Sequence, residues 1–186
     1  MQYELTTPCT AADLAPLKAG DTVLLSGVVY TARDQAHKRM LEALDKGEKL
    51  PFDLEGSAIY YVGPTPERPG EVIGSAGPTT SGRMDAMSPR LLDLGNKIMI
   101  GKGKRDAAVK EAVVRNGAVY LAALGGAGAL MAQSVKTLEV IAWPDLGCEA
   151  VRRLTVEEMP LTVILDAHGG DLYLSGPEAY REAQVK

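Results

Sequence analysis

Three places in the chain set cationic or glycine-rich stretches where a strand-like run gives way to a helix-like one. In "YTARDQAHK" Arg33 stands at such a change. In "IGSAGPTTSGRMDAM" the hydroxyls of Thr79, Thr80 and Ser81 precede Gly82 and Arg83. In "MIGKGKRDAA" Lys102 lies between Gly101 and Gly103, ahead of a helix expected to begin near Asp106. A helix N-terminus presents free N–H groups and the positive end of a dipole, so each junction favours an anion. Three junctions meeting at one point would suit a small polyanion, with the glycines letting the backbone come close to it. Each junction also has a plainer reading: Arg33 as a solvated arginine beside Asp34, and Thr80 or Ser81 as helix N-caps.

Other chemistries find little support. "GKGKRD" departs from the phosphate-binding P-loop, because the leading glycine is out of place and Gly103 stands where Ser or Thr would bind magnesium. "ALGGAGALMAQ" has Met131 where the dinucleotide pattern needs its last small residue, so close helix–strand packing accounts for Gly125, Gly126 and Gly128. His168, in "LDAHGGDLYL", reads as part of a Gly-rich hairpin between two strands, and neither histidine lies near a serine-nucleophile elbow. Cys9 and Cys148 are 139 positions apart and no CxxC or HExxH spacing exists, so the chain alone holds no recognisable zinc or iron–sulfur motif.

The elements that must position these residues alternate irregularly. After a polar lead-in, residues 21–32 are β-branched and apolar on both faces, as in a covered strand. A helix follows, with Asp34 as the cap, Ala36, Met40, Leu41 and Leu44 on one face, and Gly47 as the stop. Strand-like runs recur at "SAIYYVG", "NKIMIG", "AVYLAAL", "LEVIAW" and "LTVILD"; helix-like runs recur at "GRMDAMSPRLLDLG", "KRDAAVKEAVVRNG" and "AGALMAQSVK". Strands outnumber helices, which predicts a mixed α/β fold, and "PTPERPG" reads as a tight loop. At 186 residues the chain is expected to form one domain over residues 1–186.

A net charge of −4 argues against a strongly charged partner such as nucleic acid, and with one Trp and one Phe the chain has few platforms for stacking bases. The longest uncharged window, residues 116–135, contains four glycines, Asn116, Gln133 and Ser134. It reads as a strand, turn and helix and not as a membrane span. The start of the chain has no apolar secretory stretch, so a cytoplasmic location is expected.

Six blocks in order, "YTARDQAHKRM", "IGSAGPTTSGRMD", "MIGKGKR", "GGAGALMAQSVK", "PDLGCEAV" and "LDAHGGDLY", give the chain a resemblance to the β subunit of class I, iron–sulfur-dependent fumarases and L(+)-tartrate dehydratases. The resemblance runs over residues 21–173, with Cys148 departing from the methionine usual at its position. It implies a single swivelling β/β/α domain with mixed sheets and flanking helices. It further implies a hydro-lyase that interconverts (S)-malate and fumarate, or else dehydrates L(+)-tartrate, in complex with an α subunit that carries a 4Fe–4S cluster this chain does not bind. On the matching positions Thr79 is implied as the base that takes a proton from the carbon next to the leaving hydroxyl. Arg33, Arg83 and Lys102 are implied as binders of the dicarboxylate substrate, while the proton acceptor behind Thr79 is a carboxylate of the α subunit. A non-catalytic anion-binding domain of the same fold is the alternative from another class.

Overall fold

The computed structural model describes residues 1–123 and 126–184. Its strands form one seven-stranded sheet, where separate mixed sheets were expected. The strands are β1 (Gln2–Thr6), β2 (Thr22–Thr31), β3 (Ala58–Tyr60), β4 (Ile98–Gly101), β5 (Val119–Ala122), β6 (Val135–Ala142) and β7 (Val151–Leu165). β2, β3, β4 and β5 run parallel in that order, and β7 pairs antiparallel with β5, β6 and β2. Because β7 bonds both β5 and β2, the ladder β2–β3–β4–β5–β7 closes on itself like a small barrel, with β1 and β6 outside the circuit.

Alternation along the strands sorts the core into two apolar clusters. Ala58, Tyr60, Ile98, Ile100, Val119 and Leu121 point to the inner face, with Val23, Leu25 and Val163. Ile59, Tyr61, Met99 and Tyr120 point outward, where Met40, Leu91 and Val109 cover them. Those last three belong to α2 (Asp34–Asp45), α3 (Ser88–Asp93) and α4 (Ala107–Asn116), so these helices lie over the outer face. The near-continuous apolar runs of the parallel strands follow from this burial on both faces.

Several expectations hold at the level of single residues. α4 starts where Asp106 accepts a hydrogen bond from the Val109 N–H, and ends at Gly117 in the left-handed region. Others need correction. The lead-in contains β1, whose half-buried Tyr3 and Leu5 alternate with exposed residues, and α1 (Ala11–Leu14), closed by a Thr10–Asp13 capping box. The run from Gly82 is two pieces, a 3₁₀ turn (Ser81–Met84) and α3; Pro89 sits in the first turn of α3, where its missing N–H costs nothing. Helical α5 (Gly128–Gln133) stops before Val135, which already belongs to β6.

The expected hairpin at His168 is a strand-to-helix turn. β7 ends at Leu165, and α6 (Leu172–Gln184) follows. Asp166 organises the turn by accepting from the N–H groups of Ala19, His168 and Gly170. Of the glycines assigned to helix–strand packing, Gly125 lies outside the described residues. Gly128 accepts from the Ala76 N–H at 3.0 Å, so it packs against a loop and not a strand.

Candidate functional site

The parallel strands bring the three predicted junctions to one end of the sheet. Arg33 comes two residues after β2 ends, and Lys102 directly after β4. The segment carrying Thr79 is pinned beyond β3, where the Thr79 N–H donates to the Tyr61 carbonyl at 2.7 Å. Thr80 bridges Lys102 in a parallel arrangement, and the Ser81 N–H donates to the Lys102 carbonyl at 2.9 Å. Neighbouring strands lie about 4.8 Å apart, so the Lys102 backbone runs beside the predicted base at that order of separation.

The side chains meet as well. Arg83 Nη2 donates to the Thr79 hydroxyl oxygen, and Arg83 Nε lies 3.2 Å from Asp34 Oδ1. The other oxygen of Asp34 is 3.8 Å from Arg33 Nε, and Arg33 Nη2 is 3.3 Å from Glu149 Oε1. The first of these Arg33 distances is too long for a hydrogen bond, and Arg33 Nε is buried with no acceptor. Among the described residues no carboxylate lies within 4.0 Å of the Lys102 ammonium, which is exposed. Arg33 therefore is not the freely solvated cation of the plainer reading: its side chain is only 20% exposed. It covers Gly63, where an added Cβ would sit 2.6 Å from Arg33 Nη1, so a larger residue there would displace the guanidinium.

Sequence reasoning picked out neither Asp34 nor Glu149 as a site residue. Asp34 was expected to cap α2, but Arg33 occupies the N-cap position and Asp34 the first helical turn, with its carboxylate turned toward the two arginines. Glu149 accepts from the Gln35 N–H at 3.1 Å while holding Arg33, and so ties the 3₁₀ segment Pro144–Glu149 to the start of α2. An acidic residue following an arginine, and a "PDLGCE" run of no fixed structure, were the only available signals. The hydroxyls expected as caps act otherwise: Thr80 stands at an N-cap position without a side-chain bond, and Ser81 accepts from the Lys102 N–H at 3.0 Å.

Beneath Arg33 lies His37, completely buried, with Nδ1 2.9 Å from the Arg33 carbonyl. Burial pulls its pKa down to about 4, against the opposing pull of that backbone bond, and the Arg105 charge adds to the depression. The imidazole is therefore neutral near pH 7, carries its proton on Nδ1 toward the carbonyl, and leaves Nε2 without a partner.

Two clefts of about 470 and 430 Å³ flank the loop of residues 64–70. Neither is lined by Arg33, Thr79, Arg83 or Lys102. Arg33, Thr79 and Arg83 are linked through Asp34, and Lys102 joins them through its backbone with its side chain exposed. The cluster is a cradle open to solvent, with 47% of the Arg83 side chain exposed.

Residues 1–176 match the model of the fumarase C-terminus family. The chain belongs to that family. It is 43% identical over 170 residues to a putative L(+)-tartrate dehydratase subunit beta of Methanocaldococcus jannaschii, covering 88% of this chain and 87% of that one. With the L(+)-tartrate dehydratase subunit beta of Escherichia coli strain K12 it shares 33% identity over 187 residues, 98% of this chain and 92% of the relative. With the aerobic class I fumarate hydratase of the same organism it shares 38% over 164 residues, 87% of this chain but 30% of the relative. This member of the fumarase C-terminus family thus spans about 30% of the length of such a fumarate hydratase.

The donor set of this family member does not fit an iron–sulfur cluster. Cys9 is buried, its thiol pushed up to about 11 by burial and the nearby Asp13, whereas Cys148 is exposed on the 3₁₀ segment. Among the described residues no three of His, Cys, Asp and Glu gather as metal ligands. No helix among them is long and apolar enough to cross a membrane.

Proposed function

We propose that this chain forms one wall of a hydro-lyase site for a four-carbon dicarboxylate, in the manner of a class I fumarase β subunit interconverting (S)-malate and fumarate. The observation that carries the reading is the Arg83 guanidinium bonded to the Thr79 hydroxyl, beside Arg33 and the Lys102 loop. Thr79 takes the proton from the carbon adjacent to the departing hydroxyl. A threonine hydroxyl is a weak base unaided, so it must first pass its own proton to a partner group. The N–H from Arg83 favours the deprotonated oxygen and makes that transfer easier. Charge then builds on the reacting carbon and its carboxylate, where fixed cations stabilise the transition state more than the ground state. Arginine forks suit the planar carboxylates, and Lys102 serves as a compact point charge.

The departing hydroxyl is assigned to none of these residues. We place the 4Fe–4S cluster of the class on a separate α subunit, and no step of this chain's chemistry runs through it. The open side of the cradle supports a site completed by a second polypeptide, with this chain as the swivelling β/β/α lobe. L(+)-tartrate is the second reading for the substrate, favoured because the relatives matched nearly end to end are named tartrate dehydratase β subunits.

Anaerobic co-expression with a candidate α subunit, followed by assays on malate, fumarate and tartrate, tests the proposal. Turnover by the complex and none by the chain alone is the expected result. A stoichiometric cluster on the isolated chain would overturn the division of labour, and binding of dicarboxylates without turnover by the complex would favour the anion-binding alternative.

A further inference from the structure

Ser81 has no part in the roles set out above, yet its hydroxyl is completely buried at the centre of the site's framework. It accepts from the Lys102 N–H at 3.0 Å, while the Ser81 N–H donates to the Lys102 carbonyl at 2.9 Å, a reciprocal pair between two separate loops. The Tyr120 hydroxyl lies 2.9 Å from Ser81 Oγ and 2.9 Å from the Gly103 carbonyl. A carbonyl can only accept and a phenol has one proton, so Tyr120 donates to Gly103 and receives the proton of Ser81. The bonds then run in one direction, from the Lys102 N–H through Ser81 and Tyr120 to the Gly103 carbonyl. Gly101 is required for this: an added Cβ would sit 1.9 Å from Ser81 Oγ.

The same two loops are joined again four residues along. Asp85 accepts from Arg105 Nε at 2.6 Å and from the Asp106 N–H at 2.7 Å. Arg105 is wholly buried, its guanidinium carbon 5.3 Å and 5.0 Å from the ring centres of Tyr61 and Tyr120. Residues 81–85 and 102–106 are thus fastened at both ends. The first segment carries Arg83 and starts two residues after Thr79; the second begins at Lys102.

We propose that Ser81 is a positioning residue, a clasp that holds the Thr79–Arg83 side of the cradle at fixed spacing from Lys102, with Tyr120 and Arg105 as its support. Its effect on turnover rests on the dicarboxylate reading above; the clasp itself does not. A buried serine that only satisfied its own hydroxyl would affect stability alone. The clasp instead predicts that removing Ser81 and removing Lys102 damage one shared property, so their effects must not multiply.

The test compares the complete enzyme, assembled with its partner, as wild type, Ser81→Ala, Lys102→Ala and the double variant. Ser81→Ala is expected to lower kcat/KM by about 10- to 100-fold, the order that a small misplacement of the reacting groups costs, with near wild-type circular dichroism and a lowered melting temperature, because the Lys102 N–H loses its acceptor. In the double variant the loss should be well short of the product of the two. Amide hydrogen exchange on the full chain gives a reading independent of activity: the Lys102 N–H should exchange at least about tenfold faster in Ser81→Ala. Should that variant fail to fold, Tyr120→Phe, which keeps the ring against Arg105, carries the same comparisons. Losses that multiply, kcat/KM within about twofold of wild type, or unchanged Lys102 exchange would each overturn the clasp. If wild-type enzyme turns over none of the dicarboxylates, the proposed function fails and the exchange result still decides the clasp.

Discussion

Replacing Arg83 by lysine keeps the charge and removes the fork. Arg83 reaches two groups at once, Thr79 Oγ1 through Nη2 and Asp34 Oδ1 through Nε. A single ammonium can stand at one of these positions or lie between them, and it has no second parallel N–H to offer a carboxylate. At least one charge-assisted bond is lost, worth about 1.5–3 kcal/mol, which corresponds to roughly 10- to 100-fold in kcat/KM. Stability should hardly move. The side chain is 47% exposed, and an ion pair at such a place contributes about 0–1 kcal/mol, or less than about 4 °C in Tm for a chain of this size. The assay is steady-state hydration of fumarate by the assembled enzyme, paired with a urea titration of the same variant. Turnover within about threefold of wild type would refute the assignment of Arg83. A fall in activity matched by an equal fall in folded protein would refute it too, because the loss would then come from the fold.

Thr79→Val keeps the shape of the side chain and removes its hydroxyl, so turnover should drop by about 10²–10⁴ with KM little changed, as measured by full saturation curves. Asp85→Ala leaves the buried Arg105 cation without its carboxylate and should cost about 3–5 kcal/mol in a denaturant titration; a loss below about 1 kcal/mol would show that Ser88, Met99 and the tyrosine rings hold Arg105 without it. His37, whose pKa falls to about 4 in the folded chain from about 6.5 unfolded, makes the unfolded state bind more protons between those values. Stability from this group is therefore complete above about pH 6.5 and declines as pH falls, by about 2 kcal/mol between pH 7 and pH 5. Equilibrium unfolding across that range checks it, and a His37→Gln variant should lose that share of the slope.

What the sequence revealed, and what it hid, divides along the reach of the interactions. β2, α2 and α4 were legible because their signals are local: a β-branched run, an apolar helical face ending at Gly47, and the pairing of Asp106 with Gly117. The three cationic junctions were legible for the same reason. The closing of the sheet was not, since it depends on β7 pairing with β2 across more than a hundred residues, with a bulge at Glu157 and the left-handed Glu158, opposite Ser26, that no short motif announces. α6 was hidden because "DLYL" has the alternation of a strand and Pro177 interrupts its helical pattern. Asp34 was misread because a carboxylate at a helix start ordinarily caps it, and only the folded chain shows two arginines competing for that group.

That competition bears on how the site can work. Three formal cations, Arg33, Arg83 and Lys102, stand against two carboxylates, Asp34 and Glu149, leaving a single net positive charge, where the proposed dicarboxylate would bring two negative ones. The two acidic groups fix the guanidinium forks in place, which serves orientation. They also weaken the field available to the substrate, and at ordinary ionic strength exposed charges beyond about 8–10 Å contribute little to restore it. Under the dicarboxylate reading, the missing charge must come from within reach of the cradle's open side. On that reading the carboxyl ends of β2, β3 and β4 would give the substrate alignment and a base and the partner the rest of the attraction, so the isolated chain should bind dicarboxylates weakly even with every proposed contact in place.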